Sequence, residues 1–143
     1  MESIKVIDYL NKRPVTFKAT MTVAEAAERL LLSHQSGGPV LNDDKQVIGF
    51  LSEQDCIKRM LHDTYLSESY FTVKEIMSTN TLTVGSEHSI FELAQEMTED
   101  KPKIYPVVDK DNHLIGTIGR TEVLKAIDIH LHAIYEKGHG RFV

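Results

Sequence analysis

Displacing the 143-residue chain on itself by 67 residues brings it into register without a gap. Val6 then falls on Val73, Thr16 on Thr83, Glu25 on Glu92 and Ala27 on Ala94. Pro39-Val40 falls on Pro106-Val107, Ile48-Gly49 on Ile115-Gly116, and Lys58 on Lys125. Where identity is lost, apolar character is kept: Val23 on Ile90, Leu30 on Met97, Val47 on Leu114, Leu51 on Ile118, Ile57 on Leu124. An ungapped match that preserves apolar positions marks a duplicated unit, which restricts the fold to two copies of one motif.

Each copy has the same internal order. A short extended piece comes first, Pro14 to Phe17 and Thr81 to Val84. Thr22-x-x-Glu25 and Ser89-x-x-Glu92 then place a hydroxyl at the N-cap and a glutamate three residues on, the signature of a capped helix start. Apolar residues follow at helical spacing, at Val23, Ala26, Ala27, Leu30 and Leu31 and at Ile90, Leu93, Ala94 and Met97. Two apolar runs come next, Gly38 to Leu41 and Tyr105 to Val108, each closed by an Asx-rich turn, Asn42 to Lys45 and Asp109 to Asn112. Val47 to Leu51 and Leu114 to Ile118 complete two hairpins, and a last helix, over residues 53–63 and 120–136, closes each copy.

This order predicts an α/β (α+β) fold of tandem β-α-β-β-α units. Neither unit is long enough to bury much core alone, so the two are expected to pack sheet to sheet as one pseudo-twofold body. The units occupy residues 4–62 and 73–130. Between them, residues 63–72 form a linker whose Tyr65, Leu66, Tyr70 and Phe71 predict that it lies against the body. Residues 131–143 are expected to be a helix end, stopping at Gly138, and a flexible tail.

The composition narrows the function classes. The formal net charge of −5 argues against a nucleic-acid partner, although an acidic chain can still hold an anion locally. The single cysteine, Cys56, excludes an intrachain disulfide and the Cys–Cys zinc patterns, and reads as a small core residue. No segment approaches transmembrane length, and MESIKVIDYL lacks the basic and long apolar regions of a secretory signal, so a soluble cytoplasmic protein with no membrane partner is expected. No nucleophile is paired with a base and no Walker-type phosphate loop is present. His130, His132 and His139 lie close in sequence, but His130 and His132 are two apart and so do not share a helix face. No catalytic residue, no metal and no required cofactor are therefore expected, and an enzyme is unsupported. The apolar extension carrying Ile129, Leu131, Ile134 and Tyr135 reads as a dimer contact.

The duplicated order resembles the CBS-domain pair, or Bateman module, over residues 4–130. The residues that carry the resemblance are Pro39-Val40 and Pro106-Val107, the strand ends Val47 to Ser52 and Leu114 to Gly119, the helix starts at Asp55 and Glu122, and Glu75-Ile76-Met77 opening the second unit. The resemblance implies a ligand-sensing regulatory module for an adenosine-containing molecule (AMP, ADP, ATP or S-adenosylmethionine), with no catalysis. It also implies pairing of two modules, hence a homodimer, and output to an unknown effector protein in trans. Each ligand cleft would combine the Ser/Thr-x-x-Asp of one unit with the first strand and pre-Pro-Val residues of the other.

On that pattern the first cleft takes Ser52, Asp55, Thr81, Leu82, Lys103, Ile104, Tyr105 and Pro106. Asp55 would accept the ribose hydroxyls. Ser52, Lys103 and free amides at the helix start would hold phosphate, and backbone and apolar groups near Leu82 and Ile104 would receive adenine. The second cleft takes Pro14, Val15, Gly37, Gly38, Pro39, Arg120 and Glu122. It departs from the pattern: Gly119 lacks the hydroxyl, Glu122 is longer than Asp, and Ser36 stands where Lys103 stands in the first. Arg120 could compensate there, and Gly37-Gly38 is either a tight helix exit or an open pocket wall.

The stretch GFLSEQD supports a second reading. Ser52-x-x-Asp55 is also a sound N-cap, and both residues could be explained by the helix alone. On that reading the clefts are vestigial and the chain is a structural dimerisation or interaction module.

Overall fold

The computed structural model describes residues 4–66, 71–99 and 102–139, with the side chains of 63–66 and 137–139 outside that description. A 3-10 turn, Val6–Asp8, opens the chain. The first unit then comprises β1 (Phe17–Lys18), α1 (Val23–Ser33), β2 (Gly37–Leu41), β3 (Val47–Ser52) and α2 (Glu53–Leu66). A short α3 (Val73–Ile76) leads into the second, with β4 (Val84–Gly85), α4 (Ile90–Met97), β5 (Ile104–Val108), β6 (Leu114–Gly119) and α5 (Arg120–His139). The closing helices both run three residues past their expected ends.

The duplication is visible down to its irregularities. Each unit has a three-stranded sheet, β1-β2-β3 or β4-β5-β6, with the first pair parallel and the second antiparallel. Phe17 pairs with Val40 as Val84 pairs with Val107. Both hairpins slip register at the same place, Val40/Leu41 and Val107/Val108. The sheets meet through β2 and β5. The N-caps form as expected, with Thr22 Oγ1 accepting from the Glu25 amide (3.2 Å) and Ser89 Oγ from the Glu92 amide (3.4 Å). The turns are also equivalent: Asn42 Oδ1 accepts from the amides of Asp44 and Gln46, and Asp109 Oδ1 from those of Asp111 and His113. Their tips lock across the pseudo-twofold, Leu114 N–H to Lys45 O and Val47 N–H to Asn112 O, each 3.1 Å.

Among the described residues there are two apolar cores, one per unit, and each is completed by the other unit's opening segment. Val6 and Leu10 lie buried in the second core with Leu93, Tyr105, Val107 and Ile118. Val73 lies buried in the first with Phe17, Leu30, Val40, Leu51 and Cys56. Backbone bonds fasten the exchange: Val6 N–H to His88 O and Asn11 N–H to Thr117 O on one side, Val73 N–H to Met21 O and Ser78 N–H to Phe50 O on the other. Gly49 and Gly116, equivalent positions in the duplication, are where the exchanged segments cross. A Cβ at Gly116 would lie 2.4 Å from Asn11 O, and one at Gly49 would lie 2.6 Å from Met77 Sδ and 2.9 Å from Ser78 O. Glycine is required at both because another backbone passes over it.

Of the linker residues expected to pack on the body, Phe71 does: it sits against the first core with the Arg59 guanidinium 3.5 Å from its ring centre. The side chains of Tyr65, Leu66 and Tyr70 lie outside the described residues, as does the tail beyond His139. Gly37 and Gly38 are not a helix exit. That role falls to His34, in the left-handed region at φ 58°, and the glycines are strand residues of β2.

Candidate functional site

Strand β3 runs directly into α2, and the junction is the stretch GFLSEQD. Ser52 N–H and Ser52 Oγ–H both donate to Asp55 Oδ2 at 2.9 Å, and Asp55 N–H donates to Ser52 Oγ at 3.2 Å. This is a reciprocal cap with every member satisfied. The cap uses one oxygen of the carboxylate. Asp55 Oδ1 has no hydrogen-bond partner among the described residues, so it can still accept from a ligand. The equivalent junction of the second unit is capped by Gly119 N–H to Glu122 Oε1 at 2.7 Å. Capping therefore needs neither a hydroxyl nor an aspartate, and the Ser/Asp pair is more than the helix requires.

A cleft of about 510 Å³ opens in front of this cap, within the range of small-molecule sites. Ser52 and Asp55 form one wall. Thr81, Leu82, Lys103, Ile104 and Pro106 line it from the other unit. Tyr105 does not: side chains alternate along a strand, and Tyr105 points away from its neighbours Ile104 and Pro106 into the second core, 2% exposed. Burial raises its phenol pKa, with Glu96 and Glu99 adding to the effect.

Arg120, assigned from sequence to the second cleft, lines this first one, as does Ser36. Phe50, Glu53, Gln54, Ser78, Asn80 and Pro102 complete the lining and were not singled out in the sequence. The signal for Glu53 and Ser36 was the duplication itself, since they are the equivalents of Arg120 and Lys103. The amide cradle expected at the α2 start is largely spent within the protein. Glu53 N–H donates to Ser36 O at 2.9 Å, and Asp55 N–H to the Ser52 hydroxyl.

The remaining residues of the second cleft are packed differently. Gly38 occupies the position equivalent to Tyr105, and a Cβ there would lie 2.1 Å from Val15 O. In the first unit Val15 thus fills the space that Tyr105 fills in the second. Val15 is 9% exposed, whereas its equivalent Leu82 is 46% exposed and faces the first cleft. Gly37 is backed by the Phe50 ring, 2.7 Å from where a Cβ would be, so the two glycines are not an open pocket wall. Pro39 is buried in β2, Pro14 is half-buried, and Glu122 is engaged in its cap.

His130 meets Phe91 edge to face at 5.2 Å, and His132 Nδ1 lies 3.4 Å from Asp128. The side chain of His139 lies outside the described residues. Among the described residues, Asp109, Asp111 and His113 bring potential ligand atoms within 4.8 Å of one another, at the β5–β6 turn. The turn itself accounts for this: backbone bonds from His113 and Asp111 hold the Asp109 carboxyl below its ordinary range. Cys56 is buried, and burial, with Asp55 and Glu53 nearby, pushes its thiol up to about 11.

A family model described as "CBS domain" matches residues 6–62 and 73–129. The CBS-pair protein CBSX2 from Arabidopsis thaliana superposes with a TM-score of 0.81 at 24% identity, over 92% of this chain and 99% of that one. CBSX2 solved in complex with AMP gives a TM-score of 0.75 at 25% identity, over 88% and 98%. A homoserine O-acetyltransferase from Methanosphaera stadtmanae is 25% identical over 137 residues, which is 96% of this chain and 25% of that protein. The chain thus spans about a quarter of that curated relative.

Proposed function

We propose, from the premise that this chain belongs to the CBS domain family and carries two copies in tandem, that it is a regulatory module binding an adenosine-containing ligand in the cleft between the units. The observation that carries this reading is the single cleft joining Ser52 and Asp55 of one unit to Thr81, Leu82, Lys103, Ile104 and Pro106 of the other. AMP binding by CBSX2 supports it. Leu82, Ile104 and Pro106 supply apolar walls for adenine, and the spare Asp55 oxygen accepts from ribose hydroxyls. A ligand touching both units favours one relative packing, and a partner protein reads that packing in trans.

The module acts without catalysis and without a cofactor, in the cytoplasm. No described helix is long and apolar enough to cross a membrane. The transferase chemistry named for the curated relative belongs to a protein about four times as long.

The test is thermal unfolding with AMP, ADP, ATP, S-adenosylmethionine and guanine nucleotides, on the wild type and on Asp55→Asn. Asn preserves a capping oxygen and removes the charge; Asp55→Ala would also strip two 2.9 Å bonds from the cap and confound stability with binding. A ligand at a hundred times its Kd stabilises the native state by about 2.7 kcal/mol. A rise in Tm with an adenosine compound, lost in Asp55→Asn, is expected. No rise with any compound refutes the reading and leaves the interaction module.

That second reading draws on the exposed apolar side chains of Ile57 and Leu61 on α2 and Leu124 and Ile129 on α5, which suit a homodimer contact. Dimerisation and ligand binding use different faces and are compatible.

A further inference from the structure

Away from the cleft, two buried polar atoms of the second unit have no hydrogen-bond partner among the described residues: His88 Nε2 and the Tyr105 hydroxyl. A third, His130 Nε2, belongs to a ring that rests on Phe91. A buried polar atom without a partner costs free energy, so what the first two face matters. His88 Nε2 lies 3.9 Å from Glu96 Oε1. The charge of Glu96, and then that of Glu99, also bears on the Tyr105 phenol, which is 2% exposed. On the other side of the imidazole, Nδ1 lies 3.9 Å from Glu92 Oε2. Among the described residues no lysine or arginine pairs with Glu92, Glu96 or Glu99. Lys5, which meets the same loop at Ser89, is taken by Glu87 at 2.6 Å.

The fold does not ask for these groups. In the duplication His88 falls on Met21, Glu96 on Arg29, Glu99 on Leu32 and Tyr105 on Gly38. In the first unit Met21 is buried and Arg29 donates to Thr16 O at 3.1 Å. The same scaffold therefore closes there without an imidazole, a carboxylate or a phenol. Nor does the cleft between the units account for them, since none of the four lines it.

An N···O separation of 3.9 Å is too long for a hydrogen bond. It is close to the span of two bonds of about 2.0–2.2 Å to one metal ion. A tetrahedral angle needs closure to about 3.4 Å, a shift open to the half-exposed Glu96 side chain. The geometry points to a site for a divalent transition-metal ion such as zinc, held by His88 Nε2, Glu96 and Glu99 with water in the open position. Glu92 stands behind the imidazole, where a carboxylate takes the Nδ1 proton and leaves Nε2 to bind metal. The Tyr105 hydroxyl donates to a ligand oxygen from inside the core. A nitrogen among the donors suits zinc, cobalt or nickel better than magnesium or calcium, which take oxygen sets. The ion acts on the segment exchange. His88 O accepts from Val6 N–H at 3.0 Å, Ser86 O accepts from Ile7 N–H at 2.9 Å, and Ile90 N–H donates to Ile4 O at 2.9 Å. Metal joining His88 to the α4 carboxylates braces the loop on which the opening segment is fastened.

The experiment is titration calorimetry of zinc chloride into the full chain, freed of metal by a chelator and dialysed, with a melting curve of each sample before and after zinc. Wild type is expected to take one zinc ion per chain and to melt higher with it, because the ion binds the native state. His88→Gln and Glu96→Gln are expected to lose both effects. Glu92→Gln and Tyr105→Phe remove supporting groups only and are expected to lower zinc affinity by about 10–100-fold. His113→Gln is the control, since the Asp109–His113 turn is the other place where ligand atoms gather, and it is expected to leave the isotherm unchanged. Four results would each overturn the site: no binding at millimolar zinc, an isotherm unchanged in both His88→Gln and Glu96→Gln, loss of binding in His113→Gln instead, or magnesium or calcium binding as tightly as zinc. The metal-free melting curves check the fold of each variant. Glu96 is exposed, so Glu96→Gln decides alone if a variant at His88 or Tyr105 does not fold.

Discussion

Gly116→Ala tests the segment exchange that joins the two units. The new methyl would lie 2.4 Å from Asn11 O and 2.5 Å from Leu10 Cδ1, and the first of these is backbone, so the opening segment must lift. Lifting it breaks Asn11 N–H to Thr117 O (2.7 Å) and Thr117 N–H to Asn11 O (3.0 Å). Two such bonds contribute about 1–3 kcal/mol together. Leu10, now 8% exposed, loses part of its burial, and full exposure of a leucine costs about 1.5–3 kcal/mol. A destabilisation of about 2–4 kcal/mol follows, read from urea unfolding at unchanged m-value. Gly85→Ala is the control. Nothing lies within 4 Å of its Cβ position and its φ is negative, so its effect is neutral to about 1 kcal/mol stabilising. A Gly116→Ala variant as stable as Gly85→Ala would refute the crossing of Asn11 over β6.

Other outcomes can be checked in the same preparations. Ser52→Ala removes the hydroxyl from both sides of the cap and is expected to cost about 0.5–2 kcal/mol of stability. It leaves the spare Asp55 oxygen, so it weakens AMP binding less than Asp55→Asn does. With its thiol pushed up to about 11, native Cys56 holds about one thiolate in a thousand at pH 8 and resists iodoacetamide until the protein unfolds. The folded state binds that proton more tightly than the unfolded chain, whose thiol is near 9.0, so the Cys56 contribution to stability falls as pH rises from there towards about 11. Alkaline urea titrations of the wild type and Cys56→Ala separate that slope from other groups. Ile57 and Leu124 are equivalent positions, 65% and 70% exposed. Ile57→Asp with Leu124→Asp is expected to convert a dimer to a monomer in sedimentation velocity, and a monomeric wild type would remove the basis for that interface.

The element order, the two hairpins and the capped helix starts were legible because each rests on local chemistry repeated twice. Thr22 and Ser89 cap as their motifs require, and Asn42 and Asp109 close equivalent turns. The exchange of opening segments was not legible. Val6 and Val73 read as ordinary apolar residues of their own units, and only a glycine at each crossing point, Gly49 and Gly116, marked a close approach. The first cleft was largely legible because the pairing of one unit's cap with the other's strands follows from the resemblance. Tyr105 was misplaced by treating Ile104-Tyr105-Pro106 as a stretch, when strand alternation turns the middle residue inward. Arg120 was misplaced because a motif assigns a residue by its neighbours in sequence, whereas this long exposed side chain lines the first cleft. The asymmetry of the clefts depends on packing: glycine at 38 admits Val15, and tyrosine at 105 fills the equivalent space.

The central claim, a ligand held between the units at the Ser52–Asp55 cap, is tested most directly by an amide NMR titration with AMP. The account predicts shifts concentrated on residues 52–55, 81–82, 103–105 and 120, saturating at one ligand per chain, and absent in Asp55→Asn. No shifts at millimolar AMP, or shifts confined to the Asp109–His113 turn or to Val15 and Gly38, would contradict it.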